Sequence, residues 1–197
     1  MKFEFTYTIE NEIEEVLSCY EDANFIIQNK YDCRLPSGNV LETLNKKKLV
    51  EDIKNDFAGN KVKYLSITNT IKHELNLKSK IIEKYFSSLG YKVPDKINIK
   101  FTLYGTEGNY KLPNIITIRF SEHDEKYINV IFHEIVHLII EKPVAEALTL
   151  EHFQKENLVD WILSETELNQ LVSGYQVQTN YQNPSNEIIN YFTKNKP

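Results

Sequence analysis

The sequence predicts an α+β domain built around one buried helix that carries polar side chains, and three observations predict it. Over residues 97–103, Ile97, Ile99, Phe101 and Leu103 alternate with Asn98, Lys100 and Thr102, the two-residue period of a half-buried strand. Ile116, Ile118 and Phe120 share one face of a second strand running from Ile115 to Phe120. An apolar run from Ile128 to Ile140 then admits only Asn129, His133, Glu134 and His137, so its helix should be buried. Hairpin, buried helix and a further helix after Pro143 give a small antiparallel sheet packed on two helices.

Each element has its own signal. Phe3, Phe5, Tyr7 and Ile9 alternate as a strand over residues 2–9, and a helix follows over 10–20. The Pro36-Ser37-Gly38 turn leads to a helix over 39–57 that ends near Gly59. Residues 61–68 read as a short strand, and a helix over 77–89 closes at Gly90 with Pro94 beyond. Residues 1–90 thus form an N-terminal α/β region without a chemical motif, either a separate unit or one wall of the same domain. His73-Glu74 lacks a second histidine and reads as surface helix. Within 91–197, a loop containing Gly105, Gly108 and Pro113 joins the two strands. Ser121 or Asp124 can cap the buried helix, Glu122 and Glu125 suit the positive end of its dipole, and Pro143 stops it. For the next helix Thr149 suits the N-cap and Gly174 the residue past the C-cap, with Leu150, Phe153, Trp161, Leu168, Leu171 and Val172 at near-helical intervals.

Charge narrows the function. Lys and Arg number 23 against 28 Asp and Glu, a net charge of −5 with both signs interspersed, which argues against nucleic acid or an anionic membrane as partner. The Lys46-Lys47-Lys48 run lies among Glu42, Glu51 and Asp52 and reads as a solvated helix face. Met1-Lys2-Phe3-Glu4 lacks a basic-then-apolar export pattern and no 18-residue apolar stretch exists, so a cytoplasmic protein is expected. Cys19 and Cys33 are too few and too far apart for a disulfide scaffold and read as reduced thiols.

The chemistry sits in His133-Glu134-Ile135-Val136-His137. Residues four apart share a helix face with Cβ atoms roughly 5–6 Å apart, which lets two imidazoles reach one Zn²⁺ at about 2.0–2.1 Å. Glu134 projects beside the pair, placed to reach a metal-bound water without ligating. Burying these groups without a hydrogen-bond partner or metal would be costly. A catalytic zinc takes a third protein ligand, and seven acidic residues follow: Glu141, Glu146, Glu151, Glu156, Asp160, Glu165 and Glu167. Glu141 on the same helix would lie about 12 Å along the axis from His133, too far to close the site. A ligand from the second helix fits better. There Glu156 and Asp160 are four apart, one to ligate and one to accept the second ring N–H of a ligand histidine.

HEIVH, an 18-residue gap, and then Glu156-Asn157-Leu158-Val159-Asp160 resemble the gluzincin metallopeptidases, the thermolysin-like group. The resemblance covers residues 97–172 and implies a zincin-like fold. It implies His133, His137 and Glu156 as Zn²⁺ ligands, Glu134 as general base, and Asp160 bonded to a ligand histidine. Lys155 departs from the asparagine that often precedes the ligand glutamate in that family. The family also uses a Tyr or His to steady the tetrahedral oxyanion; His152, Tyr175, Tyr181 and Tyr191 are available, with His152 foremost. The expected activity is zinc-dependent hydrolysis of a peptide or protein substrate. The alternatives are a zinc hydrolase of a non-peptide amide and a regulatory or binding protein that keeps the zinc without turnover.

Overall fold

The computed structural model describes residues 1–36, 39–41, 46–120, 125–178 and 180–194, without the side chains of 46–48 and 125–126. The Pro36-Ser37-Gly38 turn, the capping residues Ser121 and Asp124, the acidic side chains Glu122 and Glu125 and the Lys46–Lys48 run therefore lie outside the described residues or side chains.

Four strands, β1 (Lys2–Thr6), β2 (Lys96–Thr102), β3 (Gly108–Lys111) and β4 (Ile115–Arg119), form one sheet in the order β1-β2-β4-β3. β1 runs parallel to β2, with Phe3 opposite Ile97 and Phe5 opposite Ile99. β2 runs parallel to β4, with Ile99 opposite Ile116, and β3 runs antiparallel to β4, with Tyr110 opposite Ile116. The sheet is mixed, not antiparallel as the alternation suggested. Alternation reports that a strand is half-buried but not its direction. The supposed loop between the two strands contains β3, which carries the chain back so that β4 starts again alongside β2. β4 is consequently internal, and among the described residues β3 is the edge strand on that side.

Helices α1 (Ile9–Glu21) and α2 (Ala23–Gln28) follow β1, and α3 (Lys46–Ser88) is one continuous helix of 43 residues. It replaces the expected helices over 39–57 and 77–89 and the expected strand over 61–68. Leu49, Ile53, Ile67, Ile71, Leu75, Ile82 and Phe86 are buried at intervals that keep to a helical stripe. The local run of β-branched and aromatic residues at 61–68 is overridden because Tyr64 and Ile67 belong to that stripe, and Tyr64 meets Phe101 edge-on at 5.9 Å. Gly59 is tolerated inside the helix with nothing near it. His73 is exposed on α3.

α4 (Glu125–Ile140) carries HEIVH and passes into a π-helical turn, Glu141–Glu146, that contains Pro143. α5 (His152–Glu165) carries Glu156 and Asp160, a 3-10 turn spans Glu167–Leu171, and α6 (Asn186–Lys194) follows. The N-cap of α5 is Glu151, whose side chain exchanges bonds with Gln154. Thr149, expected there, instead takes a positive φ of 53° in the turn before it. Gly174 likewise lies well past the end of α5, at φ +64°. One apolar cluster joins β1, α3, the sheet, α4 and α5. Phe101 is its hub, against Phe120 at 5.3 Å and Tyr127 of α4 at 5.8 Å. Among the described residues no helix is long and apolar enough to cross a membrane.

α1 packs on the opposite face of the sheet, where Lys100 pairs with Glu14 at 2.8 Å. It buries two acids: Glu12 accepts from the Leu103 N–H at 3.0 Å, and Glu15 accepts from Asn109 Nδ2 at 3.0 Å. Gly105, at φ +88°, makes room for Glu15, since a Cβ there would fall 2.2 Å from Oε1. Cys19 of α1 and Cys33 lie side by side as free thiols.

Burial pushes the carboxyls of Glu12 and Glu15 from the ordinary 4.5 up to about 7 each. Between those values the folded chain holds more protons than the unfolded one, so these two groups make stability fall as pH rises from 4.5 to 7 and level off above. The Glu12→Gln/Glu15→Gln variant should show a flatter stability profile than the parent between pH 5 and pH 8 in urea unfolding. Identical slopes would mean that both acids are ionised throughout.

Candidate metal centre

α4 is buried on nearly every side, with Ile131, Phe132, Ile135 and Val136 in the core, and α5 buries one face against it through Leu158, Val159, Ile162 and Leu163. Their seam is where the polar side chains meet. His133 Nε2 lies 3.1 Å from His137 Nε2 and 3.1 Å from Glu156 Oε2, and His137 Nε2 lies 3.2 Å from Glu156 Oε1. Helix geometry sets the first distance and the packing of α5 sets the others. The three side chains form a buried group whose donor atoms all lie within 4.8 Å of one another and can hold a metal ion.

The surroundings orient each of the three side chains. The second nitrogen of His133, Nδ1, meets the Tyr175 hydroxyl at 2.6 Å, and that hydroxyl donates to Asp160 Oδ1 at 2.6 Å. Asp160 itself stands 3.7 Å from His133 Nδ1, so its hold on the histidine runs mainly through Tyr175. Asp160 Oδ2 accepts from the Gln178 N–H at 2.8 Å, and Gln178 Nε2 donates to Glu156 Oε2 at 2.7 Å. The segment 173–178 therefore clasps both helices, tied to α4 by Asn129 Nδ2 donating to Ser173 O at 3.0 Å. His137 is held differently. Tyr110 of β3 stacks flat on its ring, centroids 4.7 Å apart and planes 9° apart, and donates to Glu141 Oε2 at 2.6 Å. Nδ1 of His137 is buried without a hydrogen-bond partner among the described residues.

Glu141 also accepts from Lys155 at 3.1 Å. It stays out of the metal group, as the rise along the helix requires. Glu151 caps α5, and Glu146 closes the π-helical turn. His152, at the start of α5, has its Nε2 on the Tyr31 hydroxyl and its Nδ1 3.7 Å from Glu156 Oε1.

Glu134 is 6 % exposed and lies against the edge strand. Gly108 of β3 is the reason it fits: a Cβ there would meet Glu134 Oε1 at 2.9 Å and Val130 Cγ1 at 2.5 Å. Burial raises the Glu134 carboxyl above its ordinary range, against the charges of His133 and His137. Burial also acts to raise Glu156, but the charges and hydrogen bonds of His137 and His133 outweigh it and hold that carboxyl far below the ordinary range. For His133 burial acts downward, and the Glu156 hydrogen bond with the charges of Glu134, Glu156 and Asp160 lifts it to about 9. Among the described residues no lysine or arginine bonds Glu134, Glu156 or Asp160, so the group is short of positive charge. A cation suits it.

The sequence brings forward His133, Glu134, His137, Glu156 and Asp160, and these do gather at one seam. Gln178 and the link from Tyr175 to Asp160 escape it, because they depend on a polar segment returning over the helices; Gly174 is its one local signal. No protein-family model, curated protein or solved structure matches this chain.

Gly108→Ala should destabilise the protein by about 1–3 kcal/mol, the usual cost of overpacking, while leaving metal uptake by His133, His137 and Glu156 intact. Urea unfolding and elemental analysis check both halves. Unchanged stability would mean that β3 moves freely away from α4.

Proposed function

We propose that this protein is a zinc-dependent metallopeptidase, with His133, His137 and Glu156 as the ligands and Glu134 as the general base. The observation that carries the reading is Glu134. A buried carboxylate beside two imidazoles, in a space that Gly108 leaves for it, has no task in a purely structural site.

The donor set fits zinc. Two imidazole nitrogens and a carboxylate oxygen at about 2.0–2.2 Å from a tetrahedral Zn²⁺ stand about 3.3–3.6 Å from one another. Here the two imidazole nitrogens stand 3.1 Å apart, and each has a different oxygen of Glu156 near it, Oε2 at 3.1 Å from His133 and Oε1 at 3.2 Å from His137, so the carboxylate can offer either oxygen to an ion between the rings. Zinc when bound acidifies a water towards a pKa of about 7 and polarises a carbonyl oxygen.

The chain's own residues supply the rest. Glu134 takes the proton from the attacking water and later gives it to the departing amine. Its raised affinity for protons, caused by burial, suits a group that must hold one between the two steps. Tyr175, whose proton goes to Asp160, accepts from His133 Nδ1–H and fixes that ring with Nε2 free for the metal, and Gln178 fixes one oxygen of Glu156. β3 pairs with β4 on one side, so its other edge can take an extended peptide as a further strand, held by main-chain bonds whatever its side chains. Tyr110 and Gly108 on that strand face α4, which would bring such a peptide alongside Glu134 and His137.

Glu134→Gln keeps the shape and removes the base. The variant should retain the parent's zinc and lose hydrolysis of a mixed peptide library by about 100-fold or more. Zinc retained with undiminished hydrolysis would refute the role of Glu134.

A further inference from the structure

We propose that Tyr31 and His152 work as a pair that orients the carboxylate of Glu156, an inference that rests on Glu156 being a metal ligand. Tyr31 comes from a strap far upstream of both site helices. After α2 the chain reverses at Lys30, with φ 57°, and the Tyr31 N–H bonds Ile26 O at 3.0 Å. Asp32 then pairs with Arg119 at 2.6 Å, and Arg34 exchanges two backbone bonds with Gly105 at 3.0 and 2.8 Å. These ties hold the Tyr31 hydroxyl on Nε2 of His152, while Phe25 packs edge-on against the same imidazole at 5.0 Å.

The consequence is a defined tautomer. A tyrosine hydroxyl is protonated at neutral pH and donates; a neutral imidazole that accepts at Nε2 carries its proton on Nδ1. His152 Nδ1 faces Glu156 Oε1 at 3.7 Å. That is longer than a hydrogen bond, so the N–H acts as a dipole pointed at the carboxylate. The opposite tautomer would turn a lone pair towards the same oxygen. Gln178 holds Oε2 from the other side at 2.7 Å. On its outer side Oε1 thus faces the His152 N–H and Oε2 takes Gln178, while the rings of His137 and His133 lie on the inner side; in this reading His152 acts as a positioning residue, where the sequence brought it forward as an oxyanion donor.

The test joins imidazole ¹⁵N NMR of histidine-labelled protein, metal-free and zinc-loaded, with zinc affinity measured against a competing chelator, for the parent and Tyr31→Phe. The parent should show His152 protonated on Nδ1 in both states. Tyr31→Phe, which keeps the ring, should lose that single tautomer and bind zinc about 10–100-fold more weakly, as loss of an outer partner does. His152→Ala should weaken zinc similarly, with Tyr31→Phe adding nothing further to it. A parent protonated on Nε2, or a Tyr31→Phe variant with parental zinc affinity, overturns the pairing alone. A parent that binds no zinc overturns the metal reading and the pairing with it, and the metal-free spectrum tells these failures apart.

Discussion

The seam between α4 and α5 buries more negative charge than its own residues balance. Glu134, Glu156 and Asp160 face two imidazoles there, and all but His133 are under a tenth exposed. Removing an ion from water costs several kcal/mol even after relaxation, so such a group persists only if its carboxylates are bonded or protonated, or a metal ion is shared among them. The remaining features follow from that demand. α4 is apolar on its other faces because it must sit deep enough to place two histidines inside. The close fits around it, Gly108 against Glu134 and Tyr110 on His137, keep those side chains in single orientations.

Three separate stretches of chain provide the surrounding bonds. β3 brings Gly108 and Tyr110, the segment 173–178 brings Tyr175 and Gln178, and the strap after α2 brings Tyr31. None belongs to the two helices, and each is fastened by bonds away from the metal group. Arg119 on Asp32, Asn129 on Ser173 and the pairing of β3 with β4 do that fastening. The orientation of His133, His137 and Glu156 is therefore a property of the whole fold, including the region before residue 90.

How much was legible in the sequence follows the range of each interaction. The i,i+4 spacing of His133 and His137 is a local consequence of helix geometry, and the rise along α4 excluded Glu141 without any tertiary knowledge. Glu156 and Asp160 were legible because a four-residue spacing repeats on the next helix. Strand direction was not, since β2 and β4 read alike whether paired parallel or antiparallel and β3 is too short and polar to announce itself. The continuity of α3 was hidden by Gly59 and by β-branched residues whose packing partners, such as Phe101, lie elsewhere in the chain. Tyr175, Gln178 and Tyr31 carry no periodic signal, because coil segments place side chains by long-range ties alone.

Two histidines and Glu156 are proposed to hold one metal ion across this seam. Elemental analysis of the purified parent beside its Glu156→Ala variant, after equal exposure to zinc and dialysis, addresses it most directly. The expected result is one zinc per chain in the parent and little in the variant, with both folded. Equal zinc in the two proteins would move the third ligand away from Glu156. No zinc in a folded parent would make the cluster a proton-sharing network instead of a metal centre.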